Sequence, residues 1–99
     1  MNNLTLVDLF LNEYWIEKGL SENTVQSYRL DLTALCDWLD KQNLSLETLE
    51  PLDLQQFLGS RLEQGYKATS TARMLSAMRK LFQYLYREKY RTDDPSAVL

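Results

Sequence analysis

Three glycines and two prolines are all that interrupt these 99 residues. No stretch alternates polar and apolar side chains with the two-residue period of a strand. A chain so poor in turn formers runs as long helices, and its few breakers set how many. Gly19, Pro51, Gly65 and the Asp94-Pro95 pair, helped by Ser21 and Asn43, cut it into four amphipathic stretches. The expected class is all-α: a compact four-helix bundle with short connections, forming one domain over residues 1–99.

The first helix is expected to begin after Thr5 with Asp8 in its first turn, burying Val7, Phe10, Leu11, Tyr14 and Trp15. Gly19 gives it a left-handed stop, with Leu20 making the apolar contact just beyond. Ser21 caps the second helix, whose buried stripe is Val25, Tyr28, Leu32, Leu35 (with Cys36 beside it) and Leu39, and Asn43 ends it. The connector Leu44 to Glu50 turns Leu44, Leu46 and Leu49 inward. Pro51 suits the first position of the third helix, which buries Leu54, Phe57, Leu58 and Leu62 and stops at Gly65. The fourth runs from about Thr69 to Lys89, with Thr71, Leu75, Met78, Phe82 and Leu85 on its core face, widened by Met74 and Leu81. Asp94-Pro95 rules out further helix, because the residue before proline is pushed out of the α region. Ser96 to Leu99 reads as the start of a linker.

Charge is distributed unevenly. The chain carries −3 overall, and residues 1–65 hold four bases against eleven acids. Tyr66 to Thr92 reverses this, with Lys67, Arg73, Arg79, Lys80, Arg87, Lys89 and Arg91 against Glu88 alone. Within that segment Thr69, Arg73, Ser76, Lys80, Gln83 and Arg87 recur every three or four residues, which on a helix is one continuous stripe without a carboxylate. If helix stability were its purpose, acids would be interleaved to make i,i+4 pairs. Hydroxyls and an amide alternate with the cations instead, a mixture suited to phosphates and base edges. Lys67, Thr69, Ser70 and Thr71 also stand where a helix begins, so free N–H groups and a positive dipole end converge there. The second helix offers a non-acidic outward face in its first half, at Asn23, Thr24, Gln26, Ser27 and Leu30, and turns acidic at Asp37 and Asp40.

Several kinds of chemistry are excluded by composition. With no histidine and one cysteine, the chain can build neither a Ser-His-Asp or Cys-His nucleophile nor a thiolate or imidazole metal site. Gly19, Gly59 and Gly65 are isolated, so there is no phosphate-cradling loop. Asp37 with Asp40, and Asp93 with Asp94, read as solvated acids; Tyr14 and Tyr28, with Tyr84, Tyr86 and Tyr90, read as structural aromatics. No catalytic residue, metal, cofactor or small-molecule ligand is expected. A lone Cys36, the absence of a signal sequence and the lack of a membrane-spanning apolar run point to a soluble, cytoplasmic protein.

Ser21-Glu22-Asn23-Thr24 followed by Tyr28, Asp31-Leu32 and Trp38-Leu39 resembles the N-terminal core-binding, SAM-like domain of phage-integrase-type tyrosine recombinases. The run Ala72-Arg73-Met74-Leu75-Ser76-Ala77-Met78-Arg79, with Phe82, Tyr84-Leu85 and Asp94-Pro95, resembles the same domain. Gly65 to Ser70 and Leu81 to Lys89 are similar to the Xer chromosome-dimer-resolution recombinases, most closely the XerD type.

The resemblance covers essentially the whole chain. It implies a four-helix domain forming half of a clamp around double-stranded DNA, with a separate catalytic domain forming the other half and carrying the catalytic residues. It implies that the second and fourth helices face the major groove, through Thr24, Gln26 and Ser27 on one and Thr69, Ser70, Arg73, Ser76, Arg79 and Lys80 on the other. Lys67 and Arg87 join them as phosphate contacts from the basic stripe itself. The first helix is implied to help protomers meet, pairing with a second Xer-type recombinase in a tetramer on DNA. The rival reading is a helical protein-interaction module whose basic stripe docks an acidic partner.

Overall fold

The computed structural model describes all residues, Met1–Leu99, as four helices: α1 (Asn3–Lys18), α2 (Glu22–Lys41), α3 (Pro51–Glu63) and α4 (Ala68–Arg87). There are no strands, so the all-α class and the helix count are as expected. Two compact units divide the chain, Met1–Leu46 with α1 and α2, and Glu47–Leu99 with α3 and α4. No helix is long and apolar enough to cross a membrane.

In the first unit, α1 starts earlier than expected. Asn2 caps it by accepting the Thr5 N–H at 2.8 Å, which places Asn3 inside the helix and Asp8 beyond its first turn. Asn3 is buried and bonds the connector: its Nδ2 donates to the Asp40 carboxylate (3.0 Å) and the Leu44 carbonyl (3.2 Å), and its Oδ1 accepts the Leu46 N–H (2.8 Å). The buried face is accordingly Asn3, Leu6, Val7, Phe10 and Leu11. Tyr14 is half-buried, its ring 5.3 Å from Phe10 and 6.3 Å from Tyr28. Trp15, expected inside, is exposed, because it lies past the edge of the face that Asn3 sets. Gly19 closes α1 in the left-handed conformation, as expected. On α2, Val25, Leu32, Leu35, Cys36 and Leu39 are buried. Asn43 (φ 56°) ends the helix as expected: the Leu44 N–H donates to the Leu39 carbonyl and the Asn43 N–H to that of Asp40.

In the second unit, Pro51 opens α3 and the Asp53 carboxylate accepts the Glu50 N–H at 2.8 Å. Leu54 and Phe57 are buried, Leu58 is half-buried, and Leu62 is exposed. The third inward position belongs to Arg61 instead of Leu62. Gly65 (φ 88°) ends α3, with Tyr66 N–H on the Arg61 carbonyl. Helix α4 buries Met74, Ala77, Met78, Leu81, Phe82, Tyr84 and Leu85. Thr71 and Leu75 are only half-buried, so the core face is turned toward Ala77 and Tyr84 relative to the expected one.

Helix α4 also ends sooner than expected. Lys89 (φ 65°) takes the left-handed position, and Tyr90 N–H closes on the Leu85 carbonyl at 2.9 Å. The following segment is ordered and partly internal. Arg91 donates to the Leu49 carbonyl (2.7 Å) and the Asp93 carboxylate (3.1 Å), and Asp94 accepts from both the backbone and hydroxyl of buried Ser96. Ser96, expected at the start of a linker, is thus held in a turn. Leu46 and Leu49 of the connector are buried and Leu44 is half-buried, as expected.

Candidate nucleic-acid interface

The stripe on α4 keeps its predicted character. Thr69, Arg73, Gln83 and Arg87 are exposed, and Ser76 and Lys80 are half-buried beside them. Each lies away from the Met74–Met78–Leu81–Leu85 line that α4 buries, as one helical turn per 3.6 residues requires. Lys80 Nζ donates to Ser76 Oγ at 2.8 Å, so the central lysine and hydroxyl form one preset polar unit. Arg73 at one end and Arg87 at the other extend the line.

The stripe is not uniform. Arg87 Nε lies 3.5 Å from the Glu88 carboxylate, and its guanidinium stands 5.7 Å from the Tyr84 ring centre. Glu88 is one residue away rather than four, so the i,i+4 periodicity gave no sign of it. Arg79, next to Lys80 and therefore about 100° round the helix, is exposed and bonds the Leu99 carbonyl. Arg91 belongs to the basic segment in sequence but is buried and paired, and it adds nothing to the exposed face.

The N-terminus of α4 is chemically open. Lys67 occupies the N-cap with extended backbone (φ −68°, ψ 153°) and makes no side-chain cap bond; no acid stands in the first turn. The first backbone bond into the helix is Thr71 N–H to the Lys67 carbonyl at 3.0 Å. The N–H groups of Ala68, Thr69 and Ser70 therefore point off the end of the helix, the arrangement that favours an oxyanion. Lys67 and Thr69 are exposed and Ser70 half-buried around them.

On α2, Gln26 is exposed and Thr24 and Ser27 are half-buried, with Asn23 and Leu30 also on the outer face. Here the helix start is occupied. Ser21 Oγ accepts the Thr24 N–H at 3.2 Å and lies 3.0 Å from Thr24 Oγ1. Arg29, a cation that the sequence reading passed over, is paired with Asp8 of α1.

No three His, Cys, Asp or Glu side chains converge on a metal-binding group. Cys36 is buried, and that burial, with Asp40, Asp37 and Asp8 adding repulsion, pushes its thiol up to about 12.

Residues 7–89 match the family model described as phage integrase, N-terminal SAM-like domain. Tyrosine recombinase XerD of Haemophilus influenzae is 88% identical over 99 residues, all of this chain and 33% of the relative. XerD of Pasteurella multocida is 75% identical over the same span, again 33% of the relative. XerD of Yersinia pestis is 61% identical over 94 residues, 95% of this chain and 31% of the relative. The chain thus spans about a third of the length of the curated relatives it matches.

Proposed function

The chain belongs to the family of phage-integrase N-terminal SAM-like domains, and we propose that it is the DNA-gripping module of a XerD-like site-specific tyrosine recombinase. In that role it is one domain that forms half of a clamp on the duplex, the catalytic half lying outside Met1–Leu99. The reaction served is site-specific recombination of the kind that resolves chromosome dimers, carried out by a tetramer in which this protomer pairs with a second Xer-type recombinase.

The observation that carries this reading is the face of α4: an acid-free stripe of cations and hydroxyls that begins at a helix N-terminus with no side-chain cap. Within it, Lys67, Thr69, Ser70, Arg73, Lys80 and Arg87 hold backbone phosphates. Arg79 joins them once its bond to the Leu99 carbonyl is exchanged for a phosphate. Ser76 is preset against Lys80. Thr24, Gln26 and Ser27 on α2 and, on α4, Arg73 and Ser76 each read base edges in this proposal.

The mechanism is positional. Phosphate contacts fix register and orientation, and a few side chains then sample base edges.

Anisotropy titration against duplex DNA over a series of salt concentrations tests the proposal. Each phosphate neutralised releases condensed counterion, so Lys80→Ala is expected to weaken binding to every sequence and lower the log–log salt slope by about one. Affinity for duplex that does not depend on salt would overturn the proposal and favour an acidic protein as the partner of the stripe.

A further inference from the structure

Helix α3 ends on an apolar patch built around a buried cation. Leu62 is 56% exposed and Tyr66 47%, and Leu58 is half-buried one turn before Leu62. Leu58, Arg61 and Leu62, spaced by three and four residues, are neighbours on the helix surface. Tyr66 follows just past the helix end and donates its N–H to the Arg61 carbonyl at 3.2 Å. Its ring centre lies 4.0 Å from the guanidinium carbon of Arg61, and that of Phe57 lies 5.9 Å away.

Arg61 itself is 6% exposed and has these rings as its only company. The other buried arginine, Arg91, donates to the Leu49 carbonyl and the Asp93 carboxylate. Arg61 has no such acceptor. Its Nε is sealed and unpaired; its terminal nitrogens, also without an acceptor in the chain, are not sealed and so open on the surface. Guanidinium stays protonated throughout the pH range in which proteins fold, and ring faces offset only part of the desolvation it suffers. Stacking occupies the face of the group, whereas its N–H donors lie in the plane. The Tyr66 ring therefore holds the fork in place without satisfying it. A fixed, half-desolvated fork is a receptor for a carboxylate, which accepts two parallel N–H bonds.

We propose that the patch of Leu58, Leu62 and Tyr66 docks a segment of another protein, which presents an aspartate or glutamate to Arg61 and a bulky apolar side chain to the two leucines. Charge complementarity selects this occupant. Arg61 is the only base on α3, and Glu63 borders the patch, so the surface suits one isolated negative charge and not a polyanion. Tyrosine and arginine beside apolar side chains are also the residues that carry most binding energy at protein interfaces. A partner carboxylate supplies the counter-charge that the folded chain lacks. The site is separate from the α4 stripe and does not depend on the DNA reading.

Selection from a random peptide library displayed on phage, with the wild-type protein as bait, tests the proposal; enriched peptides are then synthesised and titrated by anisotropy. They are expected to share an acid beside a bulky apolar residue, and converting that acid to its amide is expected to weaken binding about ten- to hundredfold. Leu62→Asp, at an exposed position, is expected to weaken binding by repelling the same acid. Arg61→Lys is expected to weaken it because lysine keeps the charge without the fork. Lys80→Ala is expected to bind the peptides as wild type does. The proposal is overturned if no sequence is enriched, if the enriched sequences lack an acid, or if folded Leu62→Asp or Arg61→Lys protein binds them undiminished. Peptide binding lost in Lys80→Ala would move the acidic partner to the α4 stripe and overturn it too. Sedimentation velocity addresses the remaining occupant: a wild-type dimer that Leu62→Asp dissociates would put a second copy of this chain on the patch, against the proposal.

Discussion

Helices α2 and α4 are each 20 residues long, yet they begin in opposite ways. The start of α2 is finished by its own side chains: Ser21 takes the Thr24 N–H, and Glu22 places an acid in the first turn. The start of α4 has neither cap nor acid, and a lysine stands at the N-cap. The same contrast runs through the units that contain them. Residues 1–46 carry three bases and seven acids and turn their polar groups on one another, in Asn3 with Asp40 and Leu44 and in Arg29 with Asp8. Residues 47–99 carry eight of the eleven bases and leave donors without acceptors at the α4 start, at Arg61 and at Thr71. Local stability accounts for the first pattern. It does not account for the second, which the proposed DNA contact along α4 would use.

The contrast separates stability from binding, and substitutions can break it in either direction. The largest effect is expected from Asn3→Ala, which removes three hydrogen bonds, among them the one that the buried Leu46 N–H donates. Chemical denaturation is expected to show a loss of about 2–3 kcal/mol, with the DNA salt slope of the folded protein unchanged. A changed slope would tie the first unit to the phosphate surface.

Lys67→Asp is expected to do the reverse. Aspartate is a good N-cap, so the variant gains about 1 kcal/mol in denaturation, while loss of a cation and gain of an anion at the α4 start weaken duplex binding. A more stable protein that binds DNA as well as wild type would remove the α4 start from the interface.

The smallest effect belongs to Cys36. Its thiol is raised from 9.0 to about 12, so the folded state holds the proton that the unfolded state releases first. The associated stability is whole below about pH 9 and declines as pH rises from there toward 12. Denaturation midpoints measured across that window are expected to fall more steeply for wild type than for Cys36→Ala, and native protein at pH 8 is expected to resist thiol alkylation.

Where local chemistry decides an element, the sequence is readable. Ser21, Asn43, Pro51 and Gly65 fixed helix ends because a hydroxyl, a tolerated left-handed residue, a missing N–H and a missing Cβ act within a turn of where they stand. Ends decided by distant partners were not readable. Asn3 looks like a loop residue until Asp40, Leu44 and Leu46 are placed around it. Lys89 gives no hint that it will adopt a left-handed conformation and stop α4. The α4 stripe was legible because it needs only helical period and charge. The burial of Arg61 and Arg91 was not, since a charged residue is expected outside unless the rings or carbonyls that receive it are known.

Backbone amide mapping by NMR, with duplex DNA added at low salt, tests most directly whether this chain grips DNA through α4. The largest shifts are expected at Lys67 to Arg73 and along Ser76, Lys80 and Gln83, with smaller ones at Thr24 to Ser27 and none at Asp37 or Asp40. Saturable shifts confined to the exposed apolar side chains of α1, at Leu9, Trp15 and Ile16, with α4 unmoved, would contradict it.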